Sequence, residues 1–383
     1  MSNVSTITIK KGREKSLQRK HPWVFSGAVQ SIEGNPKDGE LAAVMSHNKD
    51  FLGIGHYQNN SITVKILSFE NEPIDQVWYD RKIGEAKTMR EALGFPNKLT
   101  NAYRLVHGEG DGIPGLIIDV YAGVAVIQSH SPGITLALKN ITKTLQGLGF
   151  ENVVSKPVGK EKPQVLAGEV NEITNALESG STYQIDIIGG QKTGFFLDQR
   201  DNRDLLNSLA KDKTVFNVFS YTGGFSIAAL MGGAEKVFSV DSSAGALSLA
   251  EQNANANGFA DKHVSLKVDA VPYLENMTDT YPIIVLDPPA FAKHKSARHN
   301  AIQAYRRINE AAIKKVEKGG YLLTFSCSQV VDKQMFYDTI MSAAINAGRQ
   351  VQVLKHLRQP ADHPVSLFHP EGEYLKGLLL RIS

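Results

Sequence analysis

The chain has 383 residues, 42% of them hydrophobic, one cysteine and a formal net charge of +3. That length exceeds one ordinary core and favours two or three domains, while a single cysteine excludes an intrachain disulfide and with it a disulfide-stapled secreted fold. A charge of +3 is too small by itself to argue for a polyanionic partner.

Residues 1–10 lack an apolar core of signal-peptide length, and no apolar run approaches the roughly 20 residues that span a bilayer. A soluble, cytoplasmic protein with no membrane contact is therefore expected. Up to residue 75 the chain reads as short strands, Leu41–Met45, Phe51–Tyr57 and 62–67, punctuated by Gly34-Asn35-Pro36, Gly39 and Asn59-Asn60. In the same region Lys10, Lys11, Arg13, Lys15, Arg19 and Lys20 outweigh Glu14, a local excess of five positive charges. From 76 to 188 the pattern is mixed: a helix near 76–93, a hairpin-like pair at 115–120 and 124–128, and a helix over 134–148. Beyond Gly189-Gly190, strands at 215–219, 236–240, 264–268, 283–287 and 320–325 alternate with helices at 225–231, 244–257, 301–317 and 333–347. That alternation predicts an α/β domain with a parallel, doubly wound sheet.

The segment 215–226 is a strand, the glycine turn Gly223-Gly224 and a helix start, a place where backbone comes close to a ligand. About twenty residues on, Asp241 ends the next strand, where a carboxylate can accept both hydroxyls of an adenosine ribose. Asp269 follows at a third strand tip and Asp287 at a fourth. The G-x-G-x-x-G spacing of dinucleotide sites is absent, so the acids point to S-adenosylmethionine; the competing reading is that they cap the helices that follow.

Two prolines after Asp287 stop its strand and leave the carboxylate at the tip. Forty residues later the run 321–325 ends in Ser326-Cys327-Ser328. Thiol and acid at neighbouring strand tips suit attack on a pyrimidine ring; a small buried hydrophobe is the bland alternative for Cys327. Residues 293–318 carry an excess of six positive charges and begin beside Asp287-Pro288-Pro289, where phosphate positioning would need them. Tyr221 and Phe291 read as base-stacking rings or as core, and Trp23 as scaffold. His363, His369 and Glu373 lack the spacing of a zinc site, so no metal is expected.

His21-Pro22-Trp23-Val24-Phe25-Ser26-Gly27, Gly108-Glu109-Gly110-Asp111-Gly112, Lys192-Thr193-Gly194-Phe195-Phe196-Leu197-Asp198-Gln199-Arg200, Ser220-Tyr221-Thr222-Gly223-Gly224-Phe225, Asp287-Pro288-Pro289 and Ser326-Cys327-Ser328 together carry a resemblance. On these stretches the chain resembles the PUA-linked bacterial 23S rRNA (cytosine-C5) methyltransferase family. The resemblance implies an RNA-binding PUA domain over 1–75, an α+β central domain over 76–188, and a Rossmann-like class I methyltransferase domain over 189–383. It implies large-subunit rRNA as partner, Cys327 attacking C6 of cytosine, and Asp287 serving N3. Phe196, Gln199, Tyr221, Gly223, Asp241, Asp269 and Asp287 would surround S-adenosylmethionine.

The chain departs from the family at Ala290, where lysine is common, leaving Lys293 or Lys295 for any cationic role there. No second cysteine accompanies Asp287, so product release must proceed without another thiol. N-methylation of rRNA without an adduct, and a non-catalytic RNA-binding assembly factor, are the rival readings. A homodimer is left open.

Overall fold

Along Leu41–Met45 half-buried and buried side chains alternate, the period of a strand with one face on a core, and a six-stranded sheet forms around it. A computed structural model of the chain describes residues 4–159, 161–292 and 294–383; the first three residues of the amino-terminal reading, and Lys293, lie outside these. The sheet comprises β1 (Ser5–Ile9), β2 (Trp23–Phe25), β3 (Val29–Glu33), β4 (Leu41–Met45), β5 (Phe51–Tyr57) and β6 (Ile62–Ser68), with a short helix α1 (Lys15–Gln18). Its order is β2-β6-β5-β4-β1-β3, and only β1 and β4 run parallel. Ile7, Ile9, Val44, Val64 and Ile66 fill its core. Gly55 has no room for a side chain, since a Cβ there would lie 2.0 Å from the Lys65 carbonyl oxygen.

There follow α2 (Gln76–Ala92), β7 (Ala102–His107), β8 (Leu116–Tyr121), β9 (Val124–Ser129), α3 (Pro132–Leu136), α4 (Leu138–Gly147), β10 (Asn152–Ser155) and β11 (Gln164–Ala167). The five strands make a sheet in the order β11-β10-β9-β8-β7, parallel only between β9 and β10. Asp75 caps α2 by accepting the amides of Val77 and Trp78, and the helix buries Trp78, Tyr79, Ile83 and Ala86 in the core of this sheet. The single helix expected over 134–148 is two, divided at Ala137, which stays in the right-handed region (φ −84°, ψ −2°) but with ψ well away from the usual helical value of about −42°. Arg90, wholly buried, grips Asp111 with two hydrogen bonds of 2.5 and 2.8 Å and donates to the Asp362 carbonyl at 2.7 Å. Asp111 also accepts the His107 amide at 2.6 Å. The turn at Gly108–Asp111 is thus locked onto a buried guanidinium.

Everything up to Thr174, with Ile185–Phe195 and Ala361–Gly372, makes one compact unit; Asn175–Gln184, Phe196–Pro360 and Glu373–Ser383 make the other. β12 (Ile173–Glu178) and β13 (Ser181–Asp186) pair as a two-stranded ribbon. The second unit then runs α5 (Arg200–Leu209), β14 (Thr214–Val218), α6 (Gly224–Met231), β15 (Lys236–Asp241), α7 (Ala244–Ala256), β16 (His263–Lys267) and α8 (Ala270–Asn276). It continues with β17 (Tyr281–Leu286), α9 (Arg298–Lys315), β18 (Val316–Ser326), α10 (Lys333–Ala347), β19 (Val351–Leu357) and β20 (Lys376–Ile382).

Its seven strands lie in the order β16-β15-β14-β17-β18-β20-β19. The first five are parallel, and Ile283, Ile284, Val285 and Leu286 are fully buried, as a strand covered on both faces requires. The last two correct the expectation of a wholly parallel sheet: β20 is antiparallel to both β18 and β19. The chain returns from β19 without the α-helix that usually carries a parallel crossover. The loop after β14, Asp241, Asp269, Asp287 and Cys327 consequently share the carboxyl edge of the parallel strands, where ligands of such sheets bind. No helix among the described residues is long and apolar enough to cross a membrane.

Candidate active site

Three residues of the loop between β14 and α6 have left-handed backbones: Phe219 (φ +62°), Tyr221 (φ +48°) and Gly223 (φ +80°). For the two aromatic residues this conformation stores strain, as ligand-binding loops often do. Gly223 also passes so close to α7 that a Cβ would meet the Cβ of Ala250 at 3.0 Å. Asp241 holds the loop from the neighbouring strand, accepting the Tyr221 amide on Oδ2 and the Ser243 amide on Oδ1, each at 2.9 Å. It remains half-buried, and each oxygen has a second lone pair for a ribose hydroxyl.

Asp269 is exposed and caps α8 through the Val271 amide at 3.2 Å, the helix-capping role weighed against cofactor binding. Phe196 meets Tyr221 edge to face at 5.2 Å. The buried Ser220 hydroxyl has no hydrogen-bond partner among the described residues. An orphaned hydroxyl in a strained glycine loop, with an acid at the next strand tip, fits a nucleoside cofactor that completes its hydrogen bonds.

Gln199, only 2% exposed, stands where its amide nitrogen donates to Asp287 Oδ2 at 3.0 Å. Its oxygen accepts from Asn202 Nδ2 at 2.6 Å, which assigns the amide orientation. Gln199 is expected over the cofactor, and its side chain here hydrogen-bonds Asp287. Leu286 lies opposite Thr324 in the parallel pair β17 and β18, so Asp287 and Cys327 leave adjacent strand ends. Cys327 is half-buried between the fully buried Ser326 and Ser328. The Ser328 hydroxyl donates to the Ala292 carbonyl at 2.8 Å, tying the cysteine tripeptide to the chain that follows Asp287-Pro288-Pro289.

Two further residues complete the site. Lys376, paired with Ser326 across β18 and β20, is buried and donates to the carbonyls of Ser328 (2.7 Å) and Tyr374 (2.8 Å). Burial pulls its ammonium down to about 8, with the Cys327 thiolate acting in the opposite sense. Tyr305 of α9 is pushed up to about 12, first by burial; the charges of Cys327 and Asp287 add to the shift, while the Ser326 hydroxyl and the Phe291 backbone partly offset it. The one sequence signal for Lys376 is a cation inside the apolar run 375–380; Tyr305 has none.

Phe291 packs on Tyr305 at 4.7 Å and joins the hydrophobic core, so it is a core aromatic rather than a platform for a base. Three of the eight cations of the basic stretch after Asp287 are turned to other uses: Arg307 is paired with Glu275, Lys314 with Glu310, and Lys315 donates to the Met277 carbonyl. Lys295 precedes α9 and Arg298 opens it, which keeps both at the end of the helix that follows the Asp-Pro-Pro loop. In the first unit the Trp23 indole donates to Glu109 at 2.9 Å, a scaffold contact.

His363 is bound to Asp362 and Glu373 to Lys333, so these two potential metal ligands are engaged elsewhere. His369 instead joins His21 and Glu371, with ligand atoms within 4.8 Å of one another. His21 Nδ1 accepts the Trp23 amide, so that lone pair is engaged, and Nε2 lies 3.6 Å from Glu371.

The model of the S-adenosylmethionine-dependent methyltransferase family matches residues 156–381, and that of the PUA-like domain residues 7–69. A protein of Klebsiella pneumoniae subsp. pneumoniae named ribosomal RNA large subunit methyltransferase I is 40% identical, over 98% of each chain. Its namesake from Vibrio cholerae serotype O1 is 39% identical over 98% of this chain and 99% of its own. Among solved structures, a Streptococcus mutans protein assigned provisionally to the SAM-dependent methyltransferases has a TM-score of 0.85 at 24% identity, covering 98% of this chain and 99% of its own. SMU.776, solved with SAH, covers the same shares with a TM-score of 0.87 at 24% identity. At that identity the structural likeness speaks for the fold.

Proposed function

This chain belongs to the S-adenosylmethionine-dependent methyltransferase family, with a PUA-like domain ahead of the methyltransferase domain, and from that premise we propose that it forms 5-methylcytidine in 23S rRNA through a covalent Cys327–C6 adduct. The observation that carries this reading is the placement of Cys327 and Asp287 at adjacent strand ends. The naming of relatives as large-subunit rRNA methyltransferases supports the RNA substrate.

C5 of cytosine is a weak nucleophile. Addition of the Cys327 thiolate to C6 forms a C–S bond and moves electron density onto C5 and N3. Asp287, held through Oδ2 by Gln199, donates a hydrogen bond or proton at N3. Lys376 supplies positive charge beside the sulfur and favours the thiolate over a free thiol, whose ordinary pKa of about 8.5 leaves little of it at neutral pH.

Phe196, Tyr221, Gly223, Asp241 and Asp269 would hold S-adenosylmethionine, which would supply an electrophilic methyl group to C5 and leave as S-adenosylhomocysteine. Release of the C5 proton to water would then break the C–S bond and return the thiolate, with no second thiol needed. The division into 1–75, 76–188 and 189–383, action in the cytoplasm, and a cofactor pocket that reaches Asp287 belong to the same proposal.

Nucleoside mass spectrometry tests it, on rRNA from a strain lacking the gene incubated with S-adenosylmethionine and wild-type or Cys327→Ala protein. New 5-methylcytidine from the wild type alone is expected. A methylated purine, or methylation that survives the alanine change, overturns the adduct in favour of N-methylation. No product from either protein leaves the assembly-factor reading.

A further inference from the structure

The second unit contains a cavity of about 530 Å³ that the proposed chemistry does not use. Its position is informative. Lys376 lines it while its ammonium holds the Ser328 carbonyl beside Cys327. Asn202 lines it while holding Gln199, which in turn holds Asp287. The cavity therefore adjoins the supports of both proposed reacting groups. It opens at β19 and β20, whereas the glycine loop and Asp241 lie at β14 and β15, with β17 and β18 between. At roughly 4.8 Å per strand this is too far for one small cofactor to fill both.

Its chemistry is that of a nucleic-acid strand site. Of the cations on its wall, Lys333 is neutralised by Glu373 at 2.5 Å, and Lys376 is turned to carbonyls. Lys355 and Arg358 remain exposed at the rim, facing only Asp201 as a further acid of the lining. Tyr337, 39% exposed, lies nearly parallel to the His356 ring (17°, centroids 6.3 Å apart), giving the cavity an aromatic ledge. Cations that track a backbone, with rings on which bases stack, are the two elements that single-strand binding combines. A base attacked at C6 must leave its duplex, so unpaired neighbours have to be held close by.

We propose that this cavity receives the single RNA strand flanking the target nucleotide, with a phosphate between Lys355 and Arg358 and an adjacent base on Tyr337. The inference rests on the RNA substrate argued above. The test uses full-length protein with two probes, a fluorescein-labelled single-stranded oligoribonucleotide and large-subunit rRNA. The variants are Tyr337→Ala, the double Lys355→Glu/Arg358→Glu and the charge-preserving Lys355→Arg; all alter exposed side chains, and thermal melting verifies that they fold.

The double variant is expected to bind RNA at least tenfold more weakly, and its slope of log affinity against log salt should fall by about 1.4, for two phosphate contacts. Tyr337→Ala should lose about fivefold or more, while Lys355→Arg and cofactor binding by calorimetry stay at wild-type values. Unchanged RNA affinity and salt slope in proteins that still methylate rRNA overturn the cavity assignment alone. Loss of cofactor binding with RNA affinity intact would give the cavity to the cofactor. A wild type that neither binds nor methylates rRNA overturns the functional reading and this inference together.

Discussion

Replacing Gln199 with leucine separates two roles for that side chain. The change deletes the donor to Asp287 Oδ2 at 3.0 Å and the acceptor of Asn202 at 2.6 Å, in a side chain only 2% exposed. Leaving buried hydrogen-bonding groups unsatisfied costs about 1–3 kcal/mol. At about 1.4 kcal/mol per decade, that corresponds to a loss of roughly five- to a hundredfold in turnover. The assay is transfer of a tritiated methyl group to large-subunit rRNA, with S-adenosylmethionine affinity measured separately by calorimetry. The expected result is a fall in kcat with cofactor affinity held within about twofold.

Gln199→Glu sharpens the test. Two facing carboxylates share a proton, so this variant should approach wild-type activity at acidic pH and lose it as pH rises. Should Gln199→Leu keep its kcat and lose cofactor affinity tenfold instead, Gln199 covers the cofactor and the orienting argument is wrong.

Other expectations follow from the same geometry. Asp111→Ala strands the buried Arg90 guanidinium and should cost about 3–5 kcal/mol. Both tryptophans, Trp23 and Trp78, lie in the first unit, so urea denaturation followed by their fluorescence reads that loss directly; a change under about 1 kcal/mol would count against the clamp. Lys376 binds its proton less tightly folded (about 8) than unfolded (10.5), so its penalty is full below the first value and fades towards the second. Between pH 7 and 9.5, wild-type stability should therefore gain about 2 kcal/mol on Lys376→Met, measured by denaturant titration; parallel curves would refute it. Asp241→Ala removes the carboxylate that holds the Tyr221 and Ser243 amides and should weaken S-adenosylmethionine at least about tenfold by calorimetry.

How far the residues announce their structure depends on the kind of force that orders them. β4 and β5 are readable because alternation and turn residues are local signals. Asp287 and Cys327 are readable because two prolines and a lone thiol are rare enough to mark a strand tip. α5 is not: its buried side includes Arg200, Asn202 and Arg203, and Arg203 is gripped by Glu178 at 2.6 and 2.8 Å. An ionic core face looks like a surface in sequence. β2, three residues long, is too short to show any period. Gln199, Tyr305 and Lys376 gain their roles from neighbours far along the chain, and a glutamine, a tyrosine or a lysine is ordinary until those neighbours are known.

The interleaving of the two units bears on how the protein is born. Ala361–Gly372 belongs to the first unit, although the rest of that unit ends at Phe195. Its Asp362 carboxylate accepts the Arg104 amide and its Asp362 carbonyl the Arg90 guanidinium, and Gly110 fits against Pro364 with no space for a side chain. Translation at about 5–20 residues per second leaves roughly 10–30 s between the two parts. For that interval the amino-terminal half waits on the ribosome with a gap in its interior, and the last piece arrives only when nearly all of the other half has emerged. A nascent chain that stalls before residue 361 therefore yields neither half in finished form, and maturation of the molecule is tied to completion of its synthesis.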